Sequence, residues 1–124
     1  MNLRIAVLTG MLTLLASLAG AAQTGKGPCN APAMPAMPDG AKASMQKMLD
    51  GQKSVKSFQS ANVKYMQCLE SNFSAAKANA SEAGNAAKAE YDRSLDAYNA
   101  AVSAEEEVAG QFNIELREYK AANR

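Results

Sequence analysis

The stretch from Tyr91 to Tyr119 constrains the fold more than any other part of this 124-residue chain. Its apolar and aromatic residues recur at alternating steps of four and three, which is the 3.5-residue period of a helix that buries one narrow seam against another helix. Only Glu105 interrupts the pattern with a polar side chain. The period therefore predicts a long amphipathic helix that needs a partner helix.

Residues 41–79 have the pattern of that partner, because apolar side chains follow one side and lysines follow the other. The next stretch is rich in alanine and asparagine, so we expect a turn between Asn79 and Asn85 and a second helix over residues 82–121. The predicted fold is all-α, a long antiparallel, coiled-coil-like hairpin of two helices. One uninterrupted helix is the competing prediction, and it would bury its apolar side only by oligomerising. The residues predicted to line the helix seam are Met45, Met48, Val55, Phe58, Tyr65, Leu69, Phe73, Tyr91, Leu95, Tyr98, Val102, Phe112, Leu116 and Tyr119.

Two polar residues fall on or beside this seam. Asn62 either fixes the pairing of the helices as a buried amide or reaches solvent, and a partly exposed asparagine is the commoner case. Glu105 is expected near Phe58, where it reaches solvent or pairs with a lysine. Glu105, Glu106 and Glu107 are consecutive, so on a helix they point about 100° apart and do not converge on one ion.

The segment before the helices, residues 23–40, is rich in glycine and proline. Within it Pro32, Pro35 and Pro38 recur every third residue, which matches the three residues per turn of polyproline II. We therefore predict an extended strap over residues 23–40. The sequence Pro-Asp-Gly at 38–40 is a turn signal that would reverse the chain into the first helix.

The two cysteines, Cys29 and Cys68, test this strap geometrically. If the first helix starts near Ala41, Cys68 lies about 40 Å along it. The chain from Cys29 to Ala41 reaches about 37 Å at the polyproline rise. Two cysteines in an exported chain most simply form one internal disulfide, and we predict this bond. It requires the strap to run back along the first helix almost fully extended. An intermolecular disulfide and two free thiols are the alternatives.

Residues 1–22 have the pattern of a secretory signal, with Arg4 first, an apolar run over residues 5–19 and small residues after it. We expect cleavage after Ala21 or Ala22, which leaves a mature chain without a membrane span. The location would then be the periplasm or the outside of the cell, where a disulfide persists. An uncleaved N-terminal anchor is the alternative.

The charge pattern argues against nucleic acid as a partner. Residues 23–80 carry seven lysines against three acidic residues, whereas residues 81–124 carry nine acidic against five basic residues. Successive segments of opposite sign favour pairing with each other. The chain has no histidine, no glycine-rich phosphate loop and no cysteine pair spaced for a metal. We therefore predict no catalytic residue, no cofactor and no enzymatic activity.

Four methionines, Met34, Met37, Met45 and Met48, form the only constellation with a chemical interpretation. Two pairs with Met-x-x-Met spacing offer soft thioether ligands, so a periplasmic Cu(I)- or Ag(I)-binding protein is the alternative function. The simpler interpretation is that they fill the groove between strap and helix, so no metal site is predicted. The leading prediction is a non-enzymatic interaction or structural module of the cell envelope, which presents a helical surface to a protein partner or to its own copy.

The chain also carries four short motifs: Cys29-Asn30-Ala31-Pro32, Pro38-Asp39-Gly40, Tyr65-Met66-Gln67-Cys68-Leu69 and Glu106-Glu107-Val108-Ala109-Gly110-Gln111-Phe112-Asn113. Together these motifs resemble a group of small, functionally uncharacterised exported proteins of Gram-negative bacteria. The resemblance implies export and carries no activity, cofactor or partner. A proline strap folded onto a helix is also similar to the pancreatic-polypeptide arrangement, which is a likeness of packing and implies no shared function.

Overall fold

The computed structural model describes residues 28–124, apart from the side chains of residues 80–83. The predicted signal, residues 1–22, and the first part of the strap, residues 23–27, lie outside the described residues. Within the described range, no helix combines the length and the apolar character that crossing a membrane requires.

The part of the chain that the structure describes contains two helices, and one glycine separates them. The helical stretch Met45–Ala122 is broken at Gly84, whose φ of 57° and ψ of −133° suit only glycine. We call residues 45–83 α1 and residues 85–122 α2. The reversal lies inside the stretch predicted for the turn, so the chain forms the predicted hairpin. The competing prediction of one uninterrupted helix is wrong.

α1 begins at Met45, a few residues later than the apolar pattern predicts. The intervening residues form a turn, in which the carbonyl oxygen of Asp39 accepts a hydrogen bond from the backbone N–H of Ala43 at 2.7 Å. Ser44 then caps the helix, because its hydroxyl accepts a hydrogen bond from the backbone N–H of Lys47 at 3.3 Å. The turn around Asp39 therefore occupies the residues before Ser44, and α1 begins directly after this capping residue.

Most of the buried helical residues follow one row on each helix, in which they recur every seven residues, and Phe58 is buried beside the α1 row. Every member of these rows is 8% exposed or less. The α2 row is mostly small, which lets the two helix axes approach closely. The rows are Met48, Val55, Asn62, Leu69 and Ala76 on α1, and Ala87, Ser94, Ala101 and Val108 on α2.

The predicted seam is displaced sideways from these rows on α2. Met45, at 60% exposed, and Val102, at 37% exposed, lie on the surface rather than in the seam. The prediction chose the largest apolar residues as the seam. Small residues instead lie where the two helices come closest, and the large residues pack beside them. Four predicted seam residues are buried, namely Met48, Val55, Phe58 and Leu69. The others are half-buried on the flanks, namely Tyr65, Phe73, Tyr91, Leu95, Tyr98, Phe112, Leu116 and Tyr119.

The strap lies antiparallel along α1. Cys29 forms a disulfide with Cys68, with the Cα atoms 5.8 Å apart. Pro38 packs against Gly51, where an added Cβ would come within 2.9 Å of the proline ring. Between these two contacts, nine residues of strap pass 17 residues of α1, or about 26 Å of helix. The strap thus rises about 2.8 Å per residue, close to polyproline II.

The strap, α1 and α2 meet in one apolar cluster. Val55, Phe58 and Val108 form its buried centre, and Met37 of the strap and Phe112 of α2 pack against it. Burying a side chain of the size of Phe58 contributes about 1.5–3 kcal/mol. The strap is therefore part of the core, because Met37 closes a side of the cluster that the two helices leave open.

A second contact joins the helices nearer the turn. The ring of Phe73 lies edge-on to the rings of Tyr91 and Tyr98, with centroids 6.0 Å apart in each pair. Such aromatic pairs contribute about 0.5–1.5 kcal/mol beyond their buried area. Together with the apolar cluster, they fix which residues of α1 lie level with which residues of α2.

Candidate functional site

The hairpin has two sides, and the strap lies on one of them. On that side a cavity of about 380 Å³, which we call the strap groove, lies between the strap and α2. Pro32 and Met34 form one wall, Phe58 the floor, and alanines that include Ala97 and Ala101 the other wall. The strap therefore roofs only part of this side.

A second groove, which we call the open groove, lies on the opposite side of the hairpin. Its volume is about 360 Å³, close to that of the strap groove. All its lining residues belong to the two helices, and among the described residues none comes from the strap. The lining consists of Gln59 and Met66 of α1 with Tyr98, Val102, Glu105, Glu106 and Ala109 of α2.

Exposed apolar residues extend the open groove along α1. Val63 is 42% exposed and lies four residues after Gln59, so it is next to it on the helix surface. Met45 and Leu49, which are 60% and 44% exposed, precede Gln59 and Val63 by fourteen residues, or two heptads, and continue the same rows. We define the open face as the open groove together with Met45, Leu49 and Val63.

Asn62 is the most buried polar residue between the helices, at 1% exposed. Its side-chain Nδ2 donates to the backbone carbonyl of Ala101 at 2.9 Å and to Oε2 of Glu105 at 3.3 Å. The partly exposed asparagine expected as the commoner case is therefore wrong, and the buried alternative is right. A buried amide with a fixed partner on the other helix sets the register of the hairpin.

The three consecutive glutamates point in different directions, as predicted. Glu105 is half-buried and accepts the hydrogen bond from Asn62, one turn away from the neighbourhood of Phe58 that the sequence suggested. Glu106 is exposed and lines the open groove. Glu107 is exposed and accepts a hydrogen bond from Gln111 at 3.1 Å. The run therefore supplies one register contact and one charged residue of the open face.

Three carboxylates that the sequence does not bring together meet where the strap ends. Oxygen atoms of Asp39, Glu115 and Glu118 lie within 4.8 Å of one another. Glu115 accepts a hydrogen bond from the backbone N–H of Gly40 at 2.8 Å. The ammonium group of Lys42, 3.0 Å from the Asp39 carboxylate, donates a hydrogen bond that lowers the pKa of Asp39 below its usual value. The bond from Gly40 to Glu115 fastens the end of the strap to α2.

The four methionines of the Met-x-x-Met pairs lie in different surroundings. Met48 is buried in the α1 row, and Met37 packs against the apolar cluster. Met34 is 48% exposed and lines the strap groove, whereas Met45 belongs to the open face. Met37 and Met48 thus pack in the core, and Met34 lines the strap groove, as the simpler interpretation of these residues expects. That interpretation is wrong for Met45, which lies on the opposite side of the hairpin from the strap.

Two contacts that hold the strap were missed in the sequence. Asn72 donates from Nδ2 to Sγ of Cys29 at 3.2 Å. Its position four residues after Cys68, on the same face of a helix, is a signal that could have indicated it. The bond from Gly40 to Glu115 joins residues far apart in sequence, and no local pattern points to it.

Comparison of the chain with protein-family models, curated proteins and solved structures finds no match.

Proposed function

We propose that this chain is a non-enzymatic, exported interaction module of the cell envelope, which binds a helical protein surface through its open face. One observation carries the proposal. The strap covers part of one flank of the hairpin, while the opposite flank keeps exposed apolar residues along much of its length. Apolar patches with charged residues at their edge are typical of protein-binding surfaces.

The open groove has the form that a helix-binding surface needs. Two antiparallel helices create a shallow trough between their flanks, and a third helix packs into such a trough with its own apolar ridge. Val102 and Met66 line the trough, and Glu106 lies at its edge. The groove contains no histidine or cysteine, so its residues suit packing better than chemistry.

Export is the second part of the proposal. A single internal disulfide, Cys29 to Cys68, fastens the strap, and such bonds persist in oxidising compartments such as the periplasm. The sequence of residues 1–22 has the pattern of a signal that directs a chain there. These two features together support a periplasmic or secreted location.

Site-specific photo-crosslinking in the producing cells tests the binding surface. A photoreactive amino acid replaces Val102 in one variant and the next residue, Ser103, in the matched control. Both positions are exposed, but only Val102 lines the open groove, because consecutive helical residues point about 100° apart. We expect a discrete protein adduct at Val102 and none at Ser103. No adduct at Val102, or equal adducts at both positions, would contradict the proposal.

A further inference from the structure

We infer that the partner of the open face is a second copy of this chain, with α1 of each copy packed across α2 of the other. The two copies are related by a two-fold axis parallel to the helices. This inference rests on the proposed function of the open face and names its partner. Three features support it. Residues of opposite charge on the two helices lie at the same height along the hairpin, the apolar residues match at those heights, and the face has a suitable size.

The contacts inside the hairpin fix which residues lie level. Asn62 is hydrogen-bonded to Ala101, so these residues share one level. The helices are antiparallel, so six residues before Asn62 on α1 corresponds to six residues after Ala101 on α2. Lys56 therefore lies level with residues 106–107, within one helical turn of Glu106.

Lys56 and Glu106 both lie at the outer edge of the open face. Lys56 precedes Val63 by one heptad and so belongs to the same row, while Glu106 lines the open groove. Both side chains are exposed, and neither takes part in an ion pair within residues 28–124. Each helix thus presents one charge of opposite sign at the same height.

Packing α1 of one copy across α2 of the other brings these charges together. An axis parallel to the helices preserves the level of every residue, so Lys56 of each copy meets Glu106 of the other, and symmetry makes the pair twice. The alternative dimer, with α1 against α1 and α2 against α2, places two helices with an excess of lysine together and two helices with an excess of acidic residues together. The charge of the helices therefore favours the first arrangement.

The apolar residues match in the same arrangement. Val63 and Met66 of α1 lie near the level of Tyr98 and Val102 of α2, by the register that Asn62 and Ala101 set. In the dimer, each copy places its α1 side chains against the α2 side chains of the other, and the two open grooves close over each other. The result is a four-helix bundle with a strap on each outer side.

The size of the open face suits a second copy. Its α1 residues run from Met45 to Met66, which is about 32 Å of helix, and two helices side by side are about 20 Å wide. The outline of the face is therefore about 640 Å² on each copy, of the same order as the roughly 800 Å² per partner in a typical stable complex. A second copy presents a face of the same length and width, so it covers the whole of the first.

Charge reversal tests the arrangement in solution. The dimer dissociation constant is measured by analytical ultracentrifugation for the exported, disulfide-bonded chain and for Lys56→Glu, Glu106→Lys and the double variant. We expect each single variant to weaken the dimer about tenfold or more, because each reversal acts at two symmetry-related pairs, and the double variant to return to within about threefold of the original. The control is the double variant of Lys64→Glu and Glu107→Lys, two exposed residues outside the open groove, and we expect it to have no effect.

A chain that stays monomeric at about 100 μM, or single variants that the double variant does not rescue, would overturn this inference. Circular dichroism and an intact disulfide verify that each variant is folded. Because all four positions are exposed on helices, loss of folding is not expected.

Crosslinking with two epitope tags separates this inference from the proposed function. Two differently tagged copies, each with the photoreactive residue at position 102, are produced in the same cells. An adduct that carries both tags supports the second copy as partner. An adduct with one tag and a different protein overturns the inference and leaves the proposed function standing. Absence of any adduct overturns both.

Discussion

The two flanks of this hairpin are built from the same two helices and have grooves of similar size, but the strap covers part of one flank and none of the other. On one flank Met37 of the strap packs against the apolar cluster, and Pro32 and Met34 line the strap groove. On the other flank Val63 and Val102 remain exposed. Two helices bury one row of residues against each other, so each flank needs a third element to cover it. Among residues 28–124 the strap is the one such element, and it lies on one flank.

We expect the largest effect on stability when the strap is released, because the two flanks then become alike. Replacing Cys29 and Cys68 by serine opens the covalent loop and should lower the free energy of unfolding by about 4 kcal/mol. Urea unfolding followed by circular dichroism measures the loss. Adding a reductant to the original chain should reproduce the same curve. A loss below about 1 kcal/mol would mean that packing alone holds the strap.

We expect the next largest effect on stability from a substitution in the turn that joins α1 and α2. Gly84→Ala should lower the free energy of unfolding by about 1–3 kcal/mol, because a side chain strains the backbone at φ 57° and ψ −133°. Gly110→Ala is the matched control and should raise it by about 0.5–1 kcal/mol, because Gly110 is helical. An added Cβ meets nothing within 4 Å at either glycine, so the comparison isolates the backbone. Equal effects at both positions would contradict it.

The same substitution at Met37 and at Met66 compares the two flanks, because one of these methionines lies on each flank. Met37→Ala should lower the free energy of unfolding of the monomer by about 1–2 kcal/mol, because Met37 packs against the apolar cluster. Met66→Ala should cost less than about 0.5 kcal/mol in the monomer, because Met66 lines the open groove. Chemical unfolding of dilute protein measures both. The reverse order would mean that the open face, not the strap side, holds the hairpin together.

The smallest effect concerns the end of the strap and depends on pH. The pKa of Asp39 is lowered in the folded chain, chiefly by the hydrogen bond from Lys42, so its contribution to stability is present above the unfolded pKa. The contribution is lost as the pH falls through the lower, folded pKa. Asp39→Asn should therefore remove a small part of the acid destabilisation below about pH 4. Thermal melts across this range measure it, and raising the salt concentration should weaken the difference. An unchanged pH dependence would contradict the assignment.

Much of the fold could be predicted because it depends on local or repeating patterns. The helical hairpin follows from apolar periodicity and from the turn-forming residues around Gly84. The disulfide between Cys29 and Cys68 was the simplest pairing of two cysteines, and the reach of an extended chain along the helix allows it. Both inferences use distances along one chain, which sequence numbering supplies directly.

The exact contact row between the helices was harder to predict. Large residues such as Tyr98 and Val102 suggested the seam, whereas Ala101 and Val108 form it. Which of several apolar rows lies innermost depends on how closely the two axes approach, and small residues decide that approach. The burial of Asn62 was hard to predict for a similar reason, because it depends on a partner on the other helix, the backbone carbonyl of Ala101.

The amino-acid pattern determined two long helices, a reversal near Gly84, and a strap long enough to reach Cys68, because these are properties of chain geometry and periodicity. Only the tertiary structure decided which flank the strap covers. That choice depends on the rotation of each helix about its axis, which is fixed by contacts between distant residues such as Asn62 with Ala101 and Gly40 with Glu115. The open face, and with it the proposed function, is a consequence of that rotation.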